Sequence, residues 1–414
     1  MNQFKSNSKT WTECRKQFVI PEGADRDEAV YLCGHSLGLQ PRNTMSEVTA
    51  IIEQWGRLGV RGHFKGETPW ISYTDTIESN LGQIVGAKAD EIAVLNTLTL
   101  NIHLLLTSFY QPEGERRKIV LEATCFPSDR YAVVSYLKHL GLDPDDHILF
   151  WEPRDFILYM DDLAALLKRH QHEVALLFLG GLNYLSGQFL NIPEIVELAS
   201  ESGIVVGLDL AHAAGNVPLA LHAWQVDFAV FCTYKYLNGG PGSLGAIFVH
   251  QKHHKVEIPR LEGWWGNDIS NRFEMLPEFT PAPGVQAWKL SNPPVIAIAS
   301  LKCSLELFVA EGMEKISNRS RDLTAQLEQS LKLLDTELFR ILTPGSASDR
   351  GAMLSLHVLK KGKDIFDHLT DEDIVVDYRS PDIIRVAPCP MYNLEDDLHQ
   401  FCAVFSDTLR IISA

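Results

Sequence analysis

The sequence predicts an α/β protein, with a large domain built on a mostly parallel sheet and a smaller α+β domain after it. Three observations carry this. First, short apolar, β-branched runs recur at residues 91–96, 118–122, 174–179, 204–209, 228–233 and 246–250. Second, helical periodicity fills several of the gaps. It covers 129–139, 160–171 with Leu163, Leu166 and Leu167 at helical spacing, and 191–201 with Pro193 in the first turn, where proline is tolerated. Alternating strand and helix implies a parallel ladder with helices on both faces, and continuous apolar strands are what two covered faces require. Third, the pattern changes after Asn292. Pro293-Pro294 opens a long helical stretch to about 334, followed by short strands at 353–359, 374–376 and 383–387. The expected division is 1–45 as an N-terminal segment packing with the small domain, 46–295 as the large domain, and 296–414 as a connecting helix and the small domain.

Composition limits the partners. The 414 residues are 45% hydrophobic and 22% charged, an ordinary globular mix that can bury a core without disulfide or metal staples. A formal net charge of −16 gives no footprint for nucleic acid or an anionic membrane. The cysteines number seven, are scattered and form no C-x-x-C pair. That argues against zinc ribbons and disulfide frameworks, so no metal is expected and a reducing, cytoplasmic compartment is. The polar opening stretch 1–16 lacks the apolar centre of a signal peptide, and no uncharged apolar run approaches the ~18 residues of a membrane span.

Two motifs mislead. Gly34-His35-Ser36-Leu37-Gly38 spells the G-x-S-x-G nucleophile elbow, but Pro41 interferes with the helix that must follow the turn. Gly240-Pro241-Gly242-Ser243-Leu244-Gly245 spells G-x-G-x-x-G, yet a strand follows at 246–250 where a dinucleotide fingerprint needs a helix. A glycine-rich turn between two strands is the expected structure there.

The informative chemistry lies at strand ends. Asp209-Leu210-Ala211-His212 closes one apolar strand and Thr233-Tyr234-Lys235-Tyr236 closes the next. Ligands of open α/β sheets sit outside the carboxyl ends of strands, so Asp209, His212 and Lys235 can face one crevice. Taken singly, Asp209 is explained as a cap, His212 as a satisfied core histidine and Lys235 as a solvated end. Together they suit pyridoxal phosphate, where a lysine forms an imine and an acid keeps the pyridine nitrogen protonated. Leu98 and Thr99 open a helix after the 91–96 strand, either as a phosphate site or as an ordinary cap. Phe126, Ser128 and Asp129 follow the 118–122 strand. Phe126 can stack on a flat cofactor or pack in the core.

These segments together resemble the kynureninases, pyridoxal-phosphate enzymes of the aspartate-aminotransferase fold (fold type I). The likeness is carried by YLCGHSLGLQP at 31–41, LNTLTLNIHLLLTSFY at 95–110, FPSDRY at 126–131 and VGLDLAHAAGNVP at 206–218. It continues through 226–242, Gly263-Trp264-Trp265-Gly266, SNPP at 291–294 and RVAPCPMYN at 385–393. The resemblance implies that Lys235 carries the cofactor and moves the Cα proton, that Asp209 pairs with the ring nitrogen, and that Phe126 stacks on the ring beside Asp129. It further implies that Leu98 and Thr99 bind the phosphate, helped by Tyr234, that Ser128 and His212 belong to the cofactor pocket, and that Trp264 and Asn292 reach in from the partner subunit of a homodimer. Ser36, His63, Asn292 and Arg385 are the implied substrate contacts, with Arg385 clamping the α-carboxylate and His63 and Asn292 near the aryl ring, as in the form of the family that prefers 3-hydroxykynurenine. The chain departs from common family usage at His35, often Asn, and at Gly180, where some relatives place a serine.

The implied reaction is hydrolysis of the Cβ–Cγ bond of L-kynurenine or its 3-hydroxy form, giving L-alanine and anthranilate or 3-hydroxyanthranilate, a step of tryptophan breakdown. Lys235 is the candidate base and Tyr234 the candidate acid. The alternative is another fold type I enzyme, a cysteine desulfurase or an aminotransferase. A desulfurase needs a reactive cysteine on a mobile loop, which Cys303 in a helical pattern and Cys389 beside two prolines do not supply.

Overall fold

The computed structural model describes residues 4–334 and 337–413. Its main body is a seven-stranded sheet of β1 (Ile92–Val94), β2 (Lys118–Glu122), β3 (Ile148–Trp151), β4 (Val174–Gly180), β5 (Val205–Asp209), β6 (Phe228–Cys232) and β7 (Gly245–Val249). The spatial order is β1-β7-β6-β5-β4-β2-β3. β7 runs antiparallel to both its neighbours, and the remaining pairings are parallel. The strands bury both faces, as their continuous apolar runs require. Val120, Leu177, Leu208 and Phe231 face one hydrophobic cluster and Ile119, Leu176, Phe178 and Val230 the other, in the period of two that a pleated strand imposes.

Helices cover each face. The first cluster takes in α1 (Thr44–Leu58), α2 (Tyr73–Val85), α5 (Met160–His170), α6 (Ile192–Ser200) and α7 (Val295–Glu311), through residues such as Ile77, Leu163, Ile195 and Leu305. The second takes in α3 (Leu98–Phe109) and α4 (Pro127–His139), through Ile102, Phe109 and Val133. Pro127 opens α4, where its missing N–H costs nothing.

A second sheet of four strands follows: β8 (Phe339–Ile341), β9 (Leu354–Val358), β10 (Asp377–Arg379) and β11 (Ile383–Val386), in the order β8-β9-β11-β10 and antiparallel throughout. It packs with α8 (Met313–Lys332), α9 (Gly362–Asp371) and α10 (Glu395–Ser413) around a third cluster, which also takes Val30 and Leu32 from the N-terminal segment.

Several elements differ from expectation, among them the unanticipated strands β8 and β10 of the small sheet. The helical stretch after Pro294 is two helices, α7 and α8, broken at Gly312, whose φ of 79° no helical residue adopts. The run at 374–376 stays out of the small sheet, and its Ile374–Val375 pairs in parallel with Val30–Tyr31. β3 was not anticipated, because its four residues follow a short acidic turn and sit at the sheet edge. The glycine-rich turn at 240–245 does join two strands, β6 and β7, with Gly240 and Gly242 at φ of 89° and 71°.

Candidate active site

The carboxyl ends of the parallel strands open on one edge, and loops from four of them build a cleft. Nine residues singled out from the sequence line it: Leu98 and Thr99 at the start of α3, Phe126, Ser128 and Asp129 at the start of α4, Asp209 and His212 after β5, and Tyr234 and Lys235 after β6. Each position follows from the strand before it. Asp209 is the last residue of β5, paired with Gly180 on one side and Val230 on the other. Lys235 lies three residues past the end of β6. The loop at 34–38 fixes its backbone. The Gly38 N–H donates to the Tyr234 carbonyl at 2.8 Å, and a Cβ on Gly38 would collide with the Lys235 carbonyl.

Polar contacts inside the cleft are short. Lys235 Nζ lies 3.0 Å from His212 Nε2 and 5.7 Å from the centre of the Phe126 ring. Burial first, and then the neighbouring Lys235, push the His212 pKa well down, so the imidazole is neutral and its Nε2 accepts from Lys235 Nζ. That assigns the ring proton to Nδ1. Asp209 Oδ1 accepts the Ala211 N–H at 2.8 Å, and Thr99 Oγ1 is 2.8 Å from Ser128 Oγ at the N-terminus of α3. The floor carries three buried carboxyl groups, Glu122, Asp129 and Asp209. Burial raises all three. The neighbouring Asp209 lifts Asp129 further, while Lys235 and the Ala211 N–H hold Asp209 back.

Five other expected site residues lie elsewhere. Arg385 sits one layer behind the cleft, 1% exposed, with its guanidinium carbon 5.9 Å from the Tyr184 ring. Its Nε and Nη2 are each 2.9 Å from Asp377 Oδ1, and its Nη1 donates to the Tyr184 carbonyl at 2.7 Å. Ser36 Oγ donates to the other Asp377 oxygen at 2.9 Å, so this hydroxyl faces a carboxylate and not the histidine base of a nucleophile elbow. His63 and Asn292 line a separate cavity of about 460 Å³ with Trp70 and Trp265. Trp264 is exposed beside it, its indole N–H donating to the Arg272 carbonyl.

Sequence patterns did not single out Glu122, Asn183, Tyr184 or Asp377, all of which touch the cleft or Arg385. An acid closing the apolar run of β2 was the one available signal. His35 is fully buried with no hydrogen-bond partner for either ring nitrogen among the described residues, and its ring centre is 6.3 Å from that of His212. Gly180 has a local reason: a Cβ there would lie 3.1 Å from Glu122 Oε1, a crowded contact.

Known proteins decide between the fold type I readings. Solved structures share the fold at low identity. A cysteine desulfurase from Thermococcus onnurineus NA1 superposes with a TM-score of 0.80 at 16% identity, over 96% of this chain and 98% of that one. A C-DES mutant with glycine covalently linked to its PLP cofactor gives 0.79 at 20% identity, over 95% and 99%. A family model, the kynureninase C-terminal domain, matches residues 316–405. A kynureninase of Xanthomonas campestris pv. campestris (strain B100) is 46% identical over 391 residues, 93% of this chain and 92% of that protein. One of Myxococcus xanthus (strain DK1622) is 46% identical over 390 residues, 94% and 92%. The chain belongs to the kynureninase family. It is therefore a pyridoxal-phosphate enzyme that hydrolyses a carbon–carbon bond. The desulfurase alternative falls on the same comparison, and the thiols agree: burial leads in pushing Cys303 and Cys389 up to about 11 and Cys125, at the cleft wall, to about 12.

The kynureninase cleft fits its cofactor on its own chemistry. Asp129 Oδ1 and His212 Nδ1 are buried without a hydrogen-bond partner among the described residues. Burial disfavours the ionised forms of the three floor carboxyl groups, and a protonated ring nitrogen supplies the positive charge that would stabilise one of them. The opening N–H groups of α3 and the Thr99 and Ser128 hydroxyls form a donor set for a phosphate.

Proposed function

We propose that this kynureninase cleaves L-kynurenine, with or without a 3-hydroxyl, at the cleft around Lys235. The observation that carries the reading is the Lys235 amine, 3.0 Å from a neutral His212 at the end of β6, over the Asp209 floor. Lys235 would hold the cofactor, Asp209 its ring nitrogen, Phe126 one ring face, and Leu98, Thr99 and Ser128 its phosphate. When bound, the cofactor supplies an electron sink for charge developing at the substrate Cα.

Water adds to the γ-carbonyl and leaves with the aryl carboxylate, while the chain's own groups bind the substrate and move the protons at the alanyl carbons. Lys235 Nζ takes and returns the Cα proton. Neutral His212 accepts a hydrogen bond from that ammonium and keeps it in place. The Tyr234 phenol is pushed up by burial first, so it stays protonated and can donate a proton to the departing alanyl fragment. Arg385 takes the α-carboxylate. We further propose a homodimer in which Trp264, His63 and Asn292 serve the partner's cleft. The seven free cysteines are consistent with a cytoplasmic setting.

The test is release of anthranilate from L-kynurenine by the cofactor-loaded protein, followed by fluorescence. Lys235→Ala should lower the rate at least ~100-fold with an unchanged melting temperature, as loss of a proton-transfer group requires. A wild-type rate in that variant removes Lys235 from the mechanism, and no cleavage by the wild type removes the function.

A further inference from the structure

Of the three acids on the cleft floor, Asp209 and Asp129 lie where the cofactor binds, but Glu122 has no part in the reaction derived above. It ends β2 and is 1% exposed. Its Oε1 accepts the Gly180 N–H and its Oε2 accepts from Asn183 Nδ2, each at 2.7 Å. Asn183 Oδ1 accepts the N–H groups of Leu185 and Ser186 at 3.0 Å and the Ser186 hydroxyl at 3.3 Å. With three donors on that oxygen, the amide cannot turn over, so its nitrogen must face Glu122.

The carbonyls of the same turn point the other way. Ser186 O accepts from Thr343 Oγ1 at 2.6 Å, Leu185 O accepts from Ser355 Oγ, and Tyr184 O accepts Arg385 Nη1 at 2.7 Å. Arg385 has five N–H donors, and the contacts to Asp377 and Tyr184 occupy three of them. One N–H remains on each terminal nitrogen, the pair that a carboxylate accepts side by side. The Tyr184 carbonyl and Asp377 hold the guanidinium from two sides and so bear on where that pair points.

We propose that Glu122 is a positioning residue for the substrate carboxylate: through Asn183 it fixes the 183–186 turn, and through the Tyr184 carbonyl the turn aims the Arg385 fork. This rests on the reading of Arg385 as the carboxylate clamp. The crowding at Gly180 agrees with it, since a side chain there would press on the same carboxylate. Glu122→Gln is the sharpest probe. It keeps the volume but sets an NH₂ against one of two donors, the Gly180 N–H or the Asn183 amide nitrogen, neither of which can accept.

The experiment is steady-state kinetics of the holoenzyme on L-kynurenine for wild type, Glu122→Gln, Arg385→Ala and the double variant. Glu122→Gln should raise KM about tenfold, the scale of one lost charge-assisted hydrogen bond, with kcat within about twofold. In the Arg385→Ala background the same change should add less than about twofold, because the group it acts through is gone. Asn183→Ser breaks the link from its other end and must raise KM in the same way, which also covers a Glu122→Gln that fails to fold. If Arg385→Ala leaves KM unchanged, the clamp reading falls and this proposal with it. If Arg385→Ala raises KM while neither Glu122→Gln nor Asn183→Ser does, the proposal alone is overturned. It is likewise overturned by a loss confined to kcat, or by an equal KM effect with and without Arg385.

Discussion

Asp377 joins three side chains that the sequence leaves far apart. Its carboxylate receives Ser36, Arg379 and Arg385. Burial pushes its pKa up, but the Arg385 hydrogen bond and charge, with His35 and Arg379, outweigh burial and hold it at about 2 against an ordinary 3.8. A depressed carboxyl pKa stabilises the fold above the unfolded value and loses that contribution as pH falls through the folded one. Asp377→Asn should therefore cost roughly 2 kcal/mol at neutral pH, and the gap to wild type should close as pH falls from 3.8 towards about 2. Urea unfolding across that range measures it, and a gap independent of pH would contradict the ion pairing. Residues of this kind were illegible in the sequence for a physical reason. A lysine or aspartate at the end of an apolar strand is costly enough to stand out, and Asp209 and Lys235 did. Glu122 carried the same strand-end signal and was passed over, whereas Asp377 owes its standing to Arg385, brought up by another strand, and an isolated acid carries no trace of such a partner.

Elements were more legible than partners, because strand and helix periods are local. The runs at 118–122, 174–179 and 228–233 became β2, β4 and β6 with at most one residue of difference at an end. What escaped was partly tertiary, the direction of β7 and the pairing of Ile374–Val375 with Val30–Tyr31, and partly local, the short edge strand β3 and the break at Gly312. The loop at 34–38 belongs to this class. As a motif it spells a nucleophile elbow, but as an element it buttresses the strand end that carries Lys235, and Gly38 is there because backbone lies where its side chain would be. Gly38→Ala should displace the Lys235 backbone and lower kcat roughly 100-fold, the scale of an ångström's misplacement at a reacting group. Anthranilate release read beside thermal melting checks this. Full activity would mean the loop yields without moving Lys235.

For the whole molecule, a formal net charge of −16 offers no electrostatic attraction to nucleic acid or an anionic membrane, and exposed apolar surface is matched by shape. Three exposed aromatic rings cluster on that surface. Phe64 and Trp264 each lie edge-on to Phe273, with ring centres 5.6 and 5.5 Å away, and all three are exposed. They adjoin the cavity that holds His63, Trp265 and Asn292, apart from the Lys235 cleft. In the proposed homodimer a two-fold axis places each patch on its partner and brings Asn292 of one subunit to the cleft of the other. Complementation tests this. Lys235→Ala lacks the amine and Asn292→Ala lacks the reach across the interface, so each homodimer should be slow on L-kynurenine. In a mixed dimer one cleft suffers both losses, while the other joins an intact Lys235 to an intact Asn292. Random reassortment makes half the dimers mixed, each with one good site of two, so the unfolded-and-refolded mixture should recover about a quarter of wild-type activity. Activity no greater than the average of the two separate variants would mean that Lys235 and Asn292 act within one subunit, or that Asn292 does not act at all.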